Sequence, residues 1–173
     1  MSKTVTFTLD PTSISAAIRE VEKYKRDLLS KFETYRSRLA YEIVNKAQLN
    51  FSGASVDDLV VGGTRPAEVS VWVDDQGSIT VIVAEGEDAV WCEFGAGVYH
   101  NTAAGSSPHP RGAELGFTIG SYGKGRGRRR AWGYYDEEGT LRVTRGTEAV
   151  MPFYNAVQDV ARIAIDMARE VFG

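Results

Sequence analysis

Apolar side chains recur at helical spacing over the first third of the chain. From Ile14 to Ile43 they are three, four or seven residues apart, interrupted once by Lys25. This pattern predicts one helix that continues close to Phe51. A helix of about 38 residues spans roughly 57 Å, whereas a domain of this size has a diameter of roughly 40 Å. We therefore expect the helix to project from its domain and to need a neighbour that covers its apolar stripe.

Other segments show strand alternation or a second helical stripe. Alternation predicts a short N-terminal strand at 4–9, and Thr12 or Ser13 is then the expected helix cap. Two hairpins are predicted, 69–73 with 79–83 and 131–135 with 140–144, whereas 52–67 is interpreted as a loop and 89–94 as a short helical turn. A last helix at 151–171 is expected to bury Val150, Tyr154, Val157, Ala161, Ile165 and Ala168.

This order of elements predicts a single α+β domain over residues 1–173, in which the long N-terminal helix and the C-terminal helix pack on an antiparallel sheet. The N-terminal strand and long helix occupy 1–51, and a long Gly-rich loop, here called the arm, occupies 95–130. Nine of the eighteen glycines fall between Gly95 and Gly127. That density excludes a continuous helix or strand. Trp91 and Phe94 are expected to hold the root of the arm.

Composition indicates an ordinary globular protein, with 43% hydrophobic residues, a net charge of −3 and one cysteine. We find neither the apolar core of a signal peptide nor a membrane span, so synthesis in the cytoplasm is expected. The arm ends in a basic tip formed by Lys124, Arg126, Arg128, Arg129 and Arg130. A solvated charge run, an acidic partner subunit and DNA are the three interpretations. Because the chain as a whole is acidic, the subunit is preferred to DNA.

Catalytic chemistry has little support in the sequence. Cys92, His100 and His109 lack metal-ligand spacing, and the glycines near Lys124 lack the ending of a phosphate-binding loop. The pairs Asp57–Asp58 and Asp74–Asp75 are interpreted as solvated turn acids. We therefore predict a protein without catalytic site, cofactor, metal or small-molecule substrate, and keep a small enzyme built on Cys92, Glu93, His100 and His109 as the third hypothesis.

Four segments carry a family resemblance. Residues 93–97, Glu-Phe-Gly-Ala-Gly, are similar to an EFGTG-type signature, and His109-Pro110 followed by 114–116 matches a His-Pro, Glu-Leu-Gly segment. Residues 120–135 match a GxYGKGxGxxxxWxYY-like run, and 145–156 an HGTPAxMPMYNA-like segment. Together they resemble the tail-completion, or head–tail joining, proteins of long-tailed bacteriophages. Ala96, Arg145 and Glu148 depart from the commoner Thr, His and Pro.

The resemblance implies a structural virion protein that assembles as a ring at the neck or the head-proximal end of the tail, after synthesis in the host cytoplasm. Its implied partners are copies of itself and other neck or tail proteins, with contact to packaged DNA as a further option and no membrane. The motif residues singled out are Trp91, Glu93, Phe94, Gly95, Gly97, Met151, Pro152, Tyr154 and Asn155. The basic tip is the expected partner interface, and a nucleic-acid-binding module using 124–130 is the alternative function.

Overall fold

The structure, a computed structural model, describes residues 4–60, 62–102, 104–120 and 129–173. Three helices lie among them: α1 at Pro11–Ser52, α2 at Ala89–Phe94 and α3 at Pro152–Phe172. The strands are β1 Ser55–Asp58, β2 Gly63–Pro66, β3 Ser70–Asp75, β4 Thr80–Glu85, β5 Gly105–Ser106, β6 Thr118–Ile119, β7 Trp132–Tyr135 and β8 Leu141–Thr144. Within the described residues they form four two-stranded antiparallel ribbons. The predicted α+β class is confirmed, with ribbons in place of one continuous sheet.

The second half of α1 and the whole of α3 form an antiparallel helix pair. At one end Asn50 donates a hydrogen bond to the carbonyl of Pro152 (2.9 Å). At the other the Tyr35 hydroxyl donates to the carbonyl of Ala164 (3.1 Å), and its ring meets Phe172 edge to face. This pairing accounts for α1 only from about Tyr35 onward, because α3 ends at Phe172.

A small core lies where this helix pair meets β1, β3, β4 and α2. Its buried members are Ala47, Phe51, Ala54, Val56, Val71, Cys92 and Ala156. Gln48 joins α1 to strand β3, because its amide group donates to the Val69 carbonyl and accepts from the Val71 N–H. A half-buried glutamine satisfied on both sides fixes the position of the helix on the ribbon.

Four details of the sequence prediction are wrong. Residues 4–8 form no strand, because each strand among the described residues pairs with another strand and none pairs with this segment. The cap of α1 is Asp10, whose carboxylate accepts from the Ser13 N–H at 2.9 Å, so Pro11 takes the first helical position instead of Thr12 or Ser13 acting as cap.

The other two concern β1–β2 and α3. Residues 52–67 contain the β1–β2 hairpin, and Asp57 and Asp58 are buried within it, not solvated. In α3 the buried positions are Pro152, Ala156 and Val160. Of the predicted stripe, Tyr154, Val157 and Ala168 are half-buried, whereas Ile165 is 66% exposed and Ala161 is exposed, as is Val150 before the helix. The helix is apolar over more than one face, so spacing alone left its orientation open.

Candidate assembly surfaces

The root of the arm is organised around the carboxylate of Glu93, the second-last residue of α2. Glu93 is 8% exposed. Its two oxygens accept hydrogen bonds from the backbone N–H groups of Phe153 and Tyr154, both at 2.8 Å. These are the first unpaired N–H groups of α3, where a negative charge also meets the positive end of the helix dipole. Glu93 thus caps a helix that lies sixty residues further along the chain.

His109 brings the arm to the same carboxylate. Its Nδ1 accepts from the Arg111 N–H at 3.0 Å, so Nε2 carries the proton and donates to Glu93 Oε1 at 3.2 Å. The ring also packs against Phe94 and Tyr154, with centroid distances of 4.6 and 5.1 Å. His109, which lacks metal-ligand spacing in the sequence, is thus a buried part of this network.

Aromatic stacking then holds the arm on α2. Phe94 stacks face to face on Phe117, with ring centroids 3.7 Å apart and planes 4° apart. The Ser107 hydroxyl donates a short hydrogen bond to the Phe94 carbonyl. The predicted anchors Phe94 and Trp91 are half-buried, and Trp91 lines a partly open cavity of about 240 Å³ together with Trp132 and Tyr134. The described first part of the arm, up to residue 120, therefore folds back on the globule.

Two motif glycines permit close approaches at the start of the arm. Gly95 has φ of +79°, and a Cβ there would lie 2.8 Å from the Asn101 side chain. Gly97 has φ of +74°, and a Cβ there would lie 2.7 Å from the Trp132 ring. Asn101 donates to the carbonyls of Gly97 and Thr147, at 3.0 and 2.9 Å. Any larger residue at Gly95 would collide with Asn101, and one at Gly97 would push the start of the arm away from Trp132, just beyond its end.

The two ends of the arm also meet at Tyr99. Its ring contacts the guanidinium groups of both Arg130 and Arg145, whose carbon atoms are 4.8 and 4.6 Å from the ring centroid. Arg130 was predicted as part of a partner interface and has this contact within its own chain. Arg129 is exposed, whereas Lys124, Arg126 and Arg128 lie outside the described residues. A partner for the basic tip, whether protein or DNA, stays a prediction.

The remaining motif residues join α2 to the start of α3. The N–H groups of Val150 and Met151 both donate to the Cys92 carbonyl, at 3.0 and 3.2 Å. Met151 adopts a left-handed backbone conformation with φ of 54°, which turns the chain into buried Pro152. Asn155 donates from its amide to the Val150 carbonyl at 3.0 Å and closes this turn.

Buried ion pairs join the hairpins β1–β2 and β7–β8. Asp57 Oδ2 accepts from the backbone N–H of Arg145 at 2.7 Å, and Oδ1 accepts from both Nε (2.8 Å) and Nη2 of its guanidinium group. Burial raises the pKa of Asp57, but the hydrogen bonds from Arg145 outweigh it and the net pKa is lowered. Asp58 pairs with Arg142 at 3.2 Å. Asp57 and Asp58 therefore hold the β1–β2 and β7–β8 hairpins together.

Of the four residues considered for catalysis, the structure joins Glu93 and His109 by a hydrogen bond. Cys92 is fully buried, and burial raises the pKa of its thiol to about 12, so it supplies no thiolate near neutral pH. His100 packs edge to face on Tyr99 and not on Cys92. In the part of the chain that the structure describes, no group of three or more His, Cys, Asp and Glu side chains is arranged for a metal ion.

One exposed apolar surface belongs to the first half of α1. We call residues 11–34 of α1 the projecting half and its side chains Ile14, Ile18, Val21, Leu28 and Phe32 the apolar stripe. Every residue from 18 to 34 is exposed, and Phe32 is 58% exposed. The predicted projection of the helix is therefore confirmed. None of the described helices is both long enough and apolar enough to cross a bilayer.

A second apolar surface is an open groove of about 470 Å³ beside α2 and α3. We call it the α2–α3 groove; its apolar walls include Val90, Phe94, Leu115, Phe153 and Val157. Val90 and Leu115 are 41% and 47% exposed. His109 and Glu93 also line it, so the network at the arm root shapes this groove.

Comparisons of the chain with protein-family models, with curated proteins and with solved structures gave no match. Assignment of a function therefore depends on the sequence segments and on the geometry described above.

Proposed function

We propose that this chain is a structural protein of a bacteriophage virion, a tail-completion or head–tail joining component that assembles with copies of itself and with other neck or tail proteins into a ring. It acts by protein–protein contact and carries no catalytic site. The phage family enters through the sequence resemblance, and the geometry adds support to it.

The observation that carries the proposal is the convergence of the resembling segments at Glu93. The signature at 93–97 supplies the carboxylate, and the His-Pro segment supplies His109. The segment at 145–156 supplies the two N–H groups that donate hydrogen bonds to Glu93. Segments that are far apart in sequence thus form one buried network. Motifs that hold a fold together are expected to meet in this way.

The exposed surfaces support an assembly role in physical terms. A ring subunit needs a contact that repeats around an axis. The projecting half displays an apolar stripe that remains exposed, although Val5 and Phe7 lie beside its first residues. A monomeric protein normally keeps such patches small. Subunits that are joined through surfaces of this kind fit a ring better than an isolated binding module.

Deletion of the gene from its phage or prophage tests the proposal. We expect filled heads and complete tails that remain separate in electron micrographs of the lysate, and an infectious titre that falls by several orders of magnitude. A plasmid copy of the gene should restore joined particles, and a frameshifted copy is the matched control. Normal infectious particles from the deletion strain would overturn the proposal.

A further inference from the structure

The chain displays two apolar surfaces that cannot meet within one molecule. Phe51, near the end of α1, lines the α2–α3 groove. The nearest stripe residue, Phe32, lies nineteen positions earlier on the same continuous helix, which is roughly 28 Å, and Ile14 lies roughly 55 Å away. Since the second half of α1 is fixed against α3, the stripe is held away from its own groove. Only another molecule brings the two surfaces together.

Pairing of two stripes with each other is disfavoured by charge. Lys25 interrupts the apolar stripe near its middle. In a parallel pair, each Lys25 faces its counterpart directly. In the antiparallel register that matches Ile18 with Leu28 of the second copy, the two lysines lie about one turn apart. Like charges at such positions are destabilising. The stripe is therefore better suited to a different surface than to itself.

The α2–α3 groove has the properties that a helix with an apolar face requires. Its walls are apolar and partly exposed, through Val90 and Leu115, and its floor is fixed by the network of Glu93. Helix-in-groove contacts use side chains at helical spacing as anchors, and the apolar stripe supplies side chains at this spacing. A volume of about 470 Å³ lies in the range of sites that take up several side-chain-sized groups.

The area of the projecting half also fits an interface. About 24 residues of helix are roughly 36 Å long, and one side of such a cylinder offers roughly 600 Å². A stable interface needs about 800 Å² from each partner. The helix therefore supplies most of one contact, and each copy makes two contacts, one through its helix and one through its groove.

We propose that the α2–α3 groove of each copy receives the apolar stripe of a second copy of this chain. The contact is heterologous, head to tail, and such contacts generate rings or open filaments. This deepens the self-assembly named under the proposed function, but it is a statement about the purified chain and does not need a virion.

Complementary variants test the direction of the contact. Val21→Glu places a charge in the apolar stripe and leaves the groove unchanged. Leu115→Glu places a charge in the groove and leaves the stripe unchanged. Sedimentation of the full-length chain should show oligomers for the wild type and monomers for each variant. A mixture of the two variants should form one-to-one dimers that grow no further. Lys23→Glu, on the opposite side of the helix, is the matched control and should leave the oligomers unchanged.

Crosslinking gives a second readout that does not depend on the loss of association. Cys92 is buried with a thiol pKa of about 12, so only the engineered cysteines are expected to form disulfides. Mild oxidation of a mixture of Val21→Cys and Leu115→Cys chains should give the mixed disulfide in several-fold higher yield than Lys23→Cys with Leu115→Cys.

Three outcomes would overturn the inference: disulfides mainly between two Val21→Cys chains, mixed yields no higher than the control, or a mixture of the two glutamate variants that remains monomeric. Each would leave the virion proposal standing, which only the deletion experiment decides. Conversely, infectious deletion particles would leave the head-to-tail contact standing.

Discussion

The buried carboxylate of Glu93 accepts hydrogen bonds from three donors. The loss of these hydrogen bonds determines how much a substitution of Glu93 destabilises the fold. The N–H groups of Phe153 and Tyr154 point at the carboxylate from the start of α3, and His109 donates from the arm. Hydrogen bonds to a charged acceptor are stronger than neutral ones, and an unsatisfied buried donor is costly. One side chain therefore ties together α2, α3 and the arm.

Glu93→Gln is expected to lower the free energy of unfolding by about 2–3 kcal/mol, because an amide NH₂ group would face a donor in place of one carboxylate oxygen. Urea unfolding measures the change. Glu148→Gln, the same substitution at an exposed position near the start of α3, should change it by less than about 0.5 kcal/mol. Equal losses for both variants would mean that Glu93 does not hold this junction.

The ion pair of Asp57 predicts how the stability of the protein depends on pH. The pKa of Asp57 is lowered in the folded state relative to the ordinary value of 3.8, so its contribution is present above that pH and is lost as the pH falls below it. Asp57→Asn should cost about 2–3 kcal/mol at pH 7, because the buried acceptor of Arg145 loses its charge. The difference from wild type should shrink toward pH 3.

Denaturant melts at several pH values measure this trend, and Asp27→Asn, on the exposed projecting half, is the control that should follow the wild type at each pH. A difference between Asp57→Asn and wild type that stays constant from pH 7 to pH 3 would exclude the ion pair as its source.

At the scale of elements, sequence patterns predicted the helices and hairpins whose signals lie within their own residues. The helical spacing predicted α1, and the alternating segments predicted the hairpins β3–β4 and β7–β8. The short helix α2 formed at 89–94 as expected. Each of these elements contains its own signal, either an apolar period or turn residues between two alternating runs.

Elements that depend on distant partners were missed. The hairpin β1–β2 lacks an apolar alternation, because its inward side chains include Asp57 and Asp58, which pair with Arg145 and Arg142 almost ninety residues away. No spacing rule contains that information. The function of Glu93 was missed for the same reason, although its place in a resembling signature marked the position.

The orientation of α3 shows a third kind of limit. Apolar residues occur on several sides of this helix, so its period fits more than one buried face. The packing of Tyr35 against Ala164 and Phe172, together with the capping of its first turn by Glu93, selects the face with Ala156 and Val160. Tertiary contacts thus decide an orientation that the sequence pattern left open.

At the scale of the whole molecule, the chain consists of a packed globule and a helix that extends beyond it. The contacts that hold the globule begin at about Tyr35, and residues 18–34 are all exposed. Stability is therefore unevenly distributed along α1, with the projecting half contributing little to the fold of a single copy.

A truncated chain that begins at Ser30 tests this division of roles. Ser30 and Glu33 have the spacing of a capping box, so the shortened helix retains a suitable start. We expect the thermal midpoint of the truncated chain to lie within a few degrees of the midpoint of the dilute full-length chain, since a change of 1 kcal/mol shifts a domain of this size by about 2–4 °C. The midpoint of the full-length chain should rise with protein concentration, because association stabilises the folded state, and that of the truncated chain should not. Calorimetry over a hundredfold concentration range measures both. A truncated chain that melts more than about 10 °C lower would show that the projecting half supports its own globule, and its exposed apolar stripe would then no longer argue for a neighbour.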